Sequence, residues 1–311
     1  MRTALVTGSS GFIGRNFARH LHEAGWSVSG IDVTPGGYTT VCDARGFFRR
    51  DDGSRFRWDL VIHAAAVVGG RHVIEHDPLR QAVNLELDAG LFSWARRAKP
   101  GRVVYFSSAA VYPVRLQAAG LKRRLEEGDA GTGATDPLGR PDALYGWAKA
   151  TGEYLARLYR DDGGAVTVVR PFSGYGPDQD ETYPFGAFAG RAARREDPFM
   201  IWGDGEQVRD FIHVDDIIAA VMAMIAAETP GPVNLGTGIP CSMLQLAMVF
   251  CATAGYAPVF EPVPSAPSGV PYRVADPKAL YAFCPAKIPL EHGVRQALHA
   301  HRATLAGTRT P

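Results

Sequence analysis

Tyr145 and Lys149 stand four residues apart, a spacing that puts a phenol and an ammonium on one face of a helix. A lysine charge beside a phenol favours the phenolate, which can remove a proton from a hydroxyl. Ser108, in the run Phe106-Ser107-Ser108-Ala109-Ala110-Val111-Tyr112, can hold the reacting oxygen. Such a pair oxidises an alcohol only if a hydride acceptor lies alongside, and the N-terminus has the residues to hold one. Gly8-Ser9-Ser10-Gly11-Phe12-Ile13-Gly14 follows the apolar run Ala4 to Thr7, giving a strand, a glycine turn and a helix start suited to a dinucleotide pyrophosphate. Gly8 permits the tight turn and Gly11 lets backbone approach phosphate oxygens. Gly14 is expected to let the helix lie close on the sheet, while Phe12 and Ile13 open a helix whose N-terminus faces the anion. Asp32, which closes the segment Val28 to Ile31, can accept both hydroxyls of the adenosine ribose and would repel a 2'-phosphate, so NAD is favoured over NADP. Asp43, after Val41-Cys42, is placed to reach the adenine amino group. Lys149 would bind cofactor ribose hydroxyls while lowering the pKa of Tyr145.

These residues need a scaffold, and the apolar pattern describes one. Short apolar strands at Thr3 to Thr7, Val28 to Ile31, Leu60 to Ala64, Val103 to Ser107 and Val166 to Val169 alternate with helical stretches. The helical stretches are Phe12 to Ala24, Ala82 to Ala98 and Leu144 to Arg160. Strands apolar on both faces and separated by helices imply a parallel sheet covered on both sides. The fold class expected is α/β: a Rossmann-like, doubly wound parallel sheet with a smaller C-terminal substrate-binding lobe. Residues 1–170 form the cofactor domain, 171–205 a segment of the smaller lobe, 206–235 a return to the first domain and 236–311 the C-terminal lobe. Asp210 to Asp216, the following helix and Val233 to Leu235 are all assigned to that return. Ligands should lie beyond the carboxyl ends of the strands, in the cleft between the lobes.

Composition narrows the partners. The chain has 311 residues, 46% hydrophobic and 21% charged, with a net charge of +1, so no global basic field calls for nucleic acid. The longest apolar helical run, Ile217 to Ala227, is far shorter than a bilayer span, and no secretory leader is evident, so neither a membrane partner nor export is expected. Cys42, Cys241, Cys251 and Cys284 lack metal-ligand or disulfide-scaffold spacing, so no metal is required and a cytoplasmic location is expected.

With these residues in place the chain resembles the extended short-chain dehydrogenase/reductase family, in particular its nucleotide-sugar epimerase/dehydratase group, nearly end to end. The resemblance implies that Gly8, Gly11 and Gly14 hold the pyrophosphate, Asp32 the ribose and Asp43 the adenine. It implies that Ala64, in His63-Ala64-Ala65, and Asn84 lie beside the cofactor, and that Ser108, Tyr145 and Lys149 are catalytic. His63 itself reads as a satisfied structural histidine. The second half is similar to the family in Arg170-Pro171-Phe172-Ser173-Gly174-Tyr175-Gly176-Pro177 and in Gly203 through Asp216. A guanidinium at Arg209 can clamp a diphosphate bidentately, with Arg273 as a second positive contact, so a nucleotide-diphosphate sugar is the implied substrate. Ser173 departs from the asparagine usual in the family, so the amide contact to substrate is either lost or replaced by a shorter hydroxyl contact.

Ala109 and Ala110 divide the reactions. Sugar 4,6-dehydratases of this family carry an Asp-Glu pair there, decarboxylases a glutamate at position 110, and 3,5-epimerases and fucose synthases a cysteine; two methyl groups transfer no protons. The Gly69-Gly70 loop and the Ser-Ser-Ala and Tyr112-Pro113 segments are nonetheless similar to GDP-mannose 3,5-epimerases. The chemistry that Ser108, Tyr145, Lys149 and NAD can perform alone is inversion at C4 through a transient ketosugar. A 4-ketosugar reductase or dehydrogenase, a 3,5-epimerase, an atypical dehydratase and a non-catalytic NAD-binding protein are the alternatives. The resemblance also implies a homodimer through the helices containing Leu85 to Ala95 and Ala148 to Leu158, with Ala148, Ala150 and Gly152 allowing close approach or else packing within one chain.

Overall fold

The computed structural model describes residues 1–51, 57–68, 76–131 and 139–307. The Gly69-Gly70 loop lies outside them. Seven parallel strands form the main sheet: β1 (Thr3–Thr7), β2 (Ser27–Asp32), β3 (Thr39–Val41), β4 (Leu60–His63), β5 (Val103–Phe106), β7 (Val166–Pro171) and β11 (Val233–Leu235). Their order across the sheet is β11-β7-β5-β4-β1-β2-β3. Every residue of β4 and β5 is buried, which is why these segments read as unbroken apolar runs rather than alternating ones. Helices Phe12–Glu23 and Val214–Ala226 cover one face, meeting β1, β4, β5 and β7 through Phe17, Leu21, Ile217 and Val221. Helices Ala44–Arg50, Val83–Ala98 and Ala143–Asp161 cover the other through Phe48, Leu91, Trp94 and Ala156. The strand order reverses between β1 and β4, where such a sheet opens a crevice at its carboxyl edge.

The smaller lobe has its own core of Phe185, Phe188, Phe199, Leu246, Phe250 and Leu298, drawn from helices Pro184–Arg194, Met243–Ala254 and Leu290–Gly307 and strand β9 (Phe199–Trp202). β9 pairs with β13 (Phe260–Val263). A second sheet is built from β6 (Arg124–Leu125), β8 (Ser173–Tyr175), β10 (Val208–His213), β12 (Pro240–Ser242) and β14 (Tyr272–Ala275). It runs β12-β10-β14-β6, with β8 also paired to β10.

This second sheet corrects the expected return of residues 206–235. β10 does not join the main sheet: its backbone bonds go to β8, β12 and β14, while Phe211 enters the core of the smaller lobe and Ile212 the main core. The return begins with the helix Val214–Ala226 and ends in β11. β6 leaves the first 170 residues in the opposite sense, pairing with β14. A period-two apolar pattern identifies a strand but does not choose its partner, and here two cores compete for the same segment.

Candidate active site

The glycine turn is shaped by contacts that only hydrogen permits. Gly8 has φ +71°, and a Cβ there would lie 2.6 Å from the backbone nitrogen of Ala65. A Cβ on Gly14 would lie 2.0 Å from the Gly8 carbonyl oxygen. The third glycine therefore lets the helix fold against its own turn, not against the sheet as the sequence suggested. Gly11 is the N-cap of the helix without a side-chain acceptor, so the amino end is left to another acceptor. Gly11, Phe12, Ile13, Gly14 and Ala64 form one wall of a cleft of about 470 Å³, and Ser107, Ser108, Tyr145 and Lys149 line it as well.

Among the other predicted cofactor residues, Asp32 ends β2 and accepts from the Ser10 amide at 3.0 Å and from the Thr34 amide and hydroxyl, both at 3.0 Å. It thus braces the glycine turn while standing at its rim. Asp43 and Asn84 both make hydrogen bonds within the chain. Asp43 caps the helix Ala44–Arg50, accepting from the Arg45 amide at 2.8 Å, and forms an ion pair with the Arg45 guanidinium at 2.7 Å; the side-chain hydrogen bond from Arg45 holds its carboxyl below the usual carboxylate range. Asn84 is fully buried and spends its amide on Val67, accepting from its N–H at 2.7 Å and donating to its carbonyl at 2.9 Å. It positions the segment after β4 that runs from Ala64 to Val68 and supplies three residues to the cleft wall.

Ser108 follows β5 and caps a short turn, its Oγ accepting from the Ala110 amide at 3.1 Å. Tyr145 and Lys149 lie on the helix Ala143–Asp161, whose start is stitched to that turn: the Asp142 amide donates to the Ala110 carbonyl at 2.9 Å. A Cβ on Gly146 would come 2.3 Å from the same carbonyl, so the Tyr-Gly step is what lets the helix approach Ser108 closely. Ala143, at the helix start, holds φ +58°, a strained value for alanine two residues before the tyrosine.

Burial pushes the Tyr145 phenol above its ordinary value, as do Tyr183 and Asp88; only its hydrogen bond with Ser108 pulls it down. The Lys149 ammonium faces Asp88 at 4.0 Å and lies 4.9 Å from the centre of the Tyr105 ring. Burial pulls Lys149 itself down while Asp88 and Glu153 push it up.

A second cavity of about 520 Å³ adjoins the first, and Ser108, Tyr145, Tyr183, Arg209 and Met243 line both. Arg209 on β10 and Arg273 on β14 are direct cross-strand partners, so the sheet itself brings together two arginines 64 positions apart in the chain. Neither guanidinium is loose. Arg209 donates to the carbonyls of Val208 and Val270 at 2.8 Å and of Ser268 at 3.0 Å. Arg273 donates to Gln117 and pairs with Asp142 at 2.8 Å, tying the lobe to the residue just before the helix Ala143–Asp161. Ser173 lines the first cleft, together with Ser108, Tyr145 and Arg209. Ala109 and Ala110 are both buried, and Ala110 lines the second cavity. Sequence reasoning missed Tyr183, Arg191 and the half-exposed indole of Trp202, all lining this cavity. Trp202, a large aromatic at the end of the apolar run Phe199-Met200-Ile201 and just before the Gly203-Asp204-Gly205 turn, was the one legible signal.

The glycine cradle, the uncapped helix and the size of the cleft fit a dinucleotide. Residues 4–236 match the NAD dependent epimerase/dehydratase family. The chain belongs to that family, within the extended short-chain dehydrogenase/reductases. It is 30% identical over 299 residues to dTDP-4-dehydro-6-deoxy-D-allose reductase of a Streptomyces species, covering 88% of each chain. It is 28% identical over 291 residues to GDP-mannose 3,5-epimerase of Arabidopsis thaliana, covering 87% of this chain and 74% of that one. The crystal structure of UDP-glucose 4-epimerase from Thermus thermophilus in complex with NAD superimposes with a TM-score of 0.83 at 26% identity, covering 96% of this chain and 99% of the other.

Proposed function

We propose that the protein is an NAD-dependent nucleotide-sugar 4-epimerase. The observation that carries this reading is that Ser108 and Tyr145 line both cavities, while position 110, beside Ser108 in the chain, offers the second cavity only a methyl group. Gly8 and Gly11 bring backbone to the pyrophosphate and Asp32 takes the adenosine ribose. NAD, when bound, supplies a hydride acceptor that can return the hydride later. Tyr145 Oη removes the proton of the sugar C4 hydroxyl while Ser108 Oγ holds that oxygen, and Lys149 binds cofactor ribose hydroxyls. The resulting 4-ketosugar turns in the cleft, and Tyr145 returns the proton when C4 is reduced on its opposite face. Arg209 and Arg273 hold the diphosphate through this turn, and Trp202 offers a flat face for stacking a base.

Incubation with a panel of UDP-, GDP-, CDP- and TDP-sugars without added cofactor, read by NMR, tests the reading. A C4 epimer without net NADH and without solvent deuterium at carbon supports it. A stable 4-keto-6-deoxy product, carbon dioxide release or inversion at C3 or C5 overturns it. The Streptomyces relative favours a second reading, a 4-ketosugar reductase, in which added reduced cofactor is consumed stoichiometrically.

A homodimer belongs to the same proposal, with one amendment. Ala148 and Gly152 are buried inside the chain, so the contact face is instead Leu85 and Ala89 with Trp147, Thr151, Tyr154 and Leu158, all exposed. Light scattering at micromolar protein is expected to give a dimeric mass, and Leu158→Glu to lower it.

A further inference from the structure

We propose that Asp88 is the counter-ion and positioning residue of Lys149, so that the catalytic lysine is set in place from beneath by the helix Val83–Ala98. The proposal rests on the assignment of Lys149 to the catalytic site. Asp88 is 1% exposed and its two oxygens have distinct duties. Oδ2 accepts from the Tyr105 hydroxyl at 2.6 Å. Oδ1 accepts from His63 Nε2 at 3.3 Å and lies 4.0 Å from Lys149 Nζ. A carboxylate can only accept, so His63 carries its hydrogen on Nε2, and its Nδ1 accepts from the Thr7 hydroxyl at 2.8 Å. Two strands, β4 and β5, therefore steady a buried carboxylate with neutral donors and leave its charge to face the lysine.

A buried ammonium is costly without a partner. The other carboxylate that acts on Lys149, Glu153, is already chelated by Arg170 through two bonds of 2.7 Å and takes the Ser107 hydroxyl at 2.5 Å. His63 is kept neutral by burial, so among the described residues the cation opposite Asp88 is Lys149. The helix that carries Lys149 is also cut to fit: a Cβ on Gly152 would lie 1.8 Å from the Tyr105 hydroxyl oxygen and 2.7 Å from Asp88 Oδ2. Glycine weakens a helix interior relative to alanine, and the Tyr105–Asp88 pair explains its presence one turn beyond the lysine. Asp88 pushes both the Lys149 ammonium and the Tyr145 phenol upward while lining neither cavity.

The chain has five lysines, and Lys149 is buried while Lys99, Lys122, Lys278 and Lys287 are exposed, so its resonance is separable by lysine-selective 13C NMR. With NAD added, wild-type Lys149 is expected to be charged at pH 7, and a neutral Lys149 overturns the proposal without any variant. Asp88→Asn, or Asp88→Ser should the first not fold, is expected to lower the Lys149 midpoint by at least about one pH unit, a tenfold change in its protonation equilibrium. The alkaline limb of kcat should move by the same amount with little change in substrate KM. An unshifted Lys149 midpoint in a folded variant overturns the proposal. The NMR midpoint needs no substrate, so a protein that epimerises nothing yet shows the shift would sink the epimerase reading and leave the counter-ion standing.

Discussion

The two halves of the cleft are built by opposite means. On the cofactor side, the turn from Gly8 to Gly14 is contiguous, and its shape is made by backbone that side chains would obstruct, as the 2.0 Å between a Gly14 Cβ and the Gly8 carbonyl oxygen makes plain. On the substrate side, Ser108, Tyr183, Arg209 and Arg273 come from four separate segments. Their guanidiniums are aimed by a sheet pairing and by an ion pair to Asp142. The difference teaches where specificity can change: a contiguous glycine turn recognises the part common to all dinucleotides, whereas a composite pocket alters its ligand through any one of several loops.

The sharpest way to break the comparison is to strike where the halves meet. Tyr145→Phe removes the proton-transfer oxygen and keeps the ring, so turnover should fall by about 10²–10⁴-fold with NAD affinity unchanged; near wild-type turnover would end the assigned chemistry. Gly8→Ala attacks the cofactor half alone, combining a positive φ with a 2.6 Å backbone approach. A loss of about 1–3 kcal/mol in stability is expected, together with weaker NAD binding by calorimetry.

Arg273→Ala strikes the substrate half and also releases Asp142 at the start of the helix Ala143–Asp161. It should weaken nucleotide-sugar binding by about tenfold, roughly 1.4 kcal/mol, and leave NAD affinity in place; Arg273→Lys should recover only part, because the ammonium lacks the fork. Asp32→Ala should erase the preference for NAD over NADP, read as the ratio of the two dissociation constants.

The smallest effect concerns pH. Burial lowers the pKa of His63 and of His213, so the unfolded chain binds more protons than the folded one below its ordinary histidine value. Stability from these neutral histidines is present above about pH 6.5 and is lost as pH falls through it, at no more than ~1.4 kcal/mol per pH unit for each group. Melting temperatures between about pH 8 and pH 5 should show the decline, and His63→Gln should flatten it.

By itself the sequence determined the parallel sheet, the glycine turn, the acid at the end of β2 and the Ser108, Tyr145 and Lys149 trio, because each rests on local periodicity or short spacing. Burial of β4 and β5 on both faces follows from their unbroken apolar runs. Tertiary structure alone decided the rest. It sent β10 to a second sheet, since an apolar strand does not name its partner. It paired Asp43 with Arg45 and turned Asn84 to the Val67 backbone, since a polar side chain takes whichever partner the fold brings within reach. And it placed Asp88, unremarked in a helical run, beneath Lys149, because helix spacing orders neighbours along one element but the approach of two helices across a strand is fixed only when all three pack.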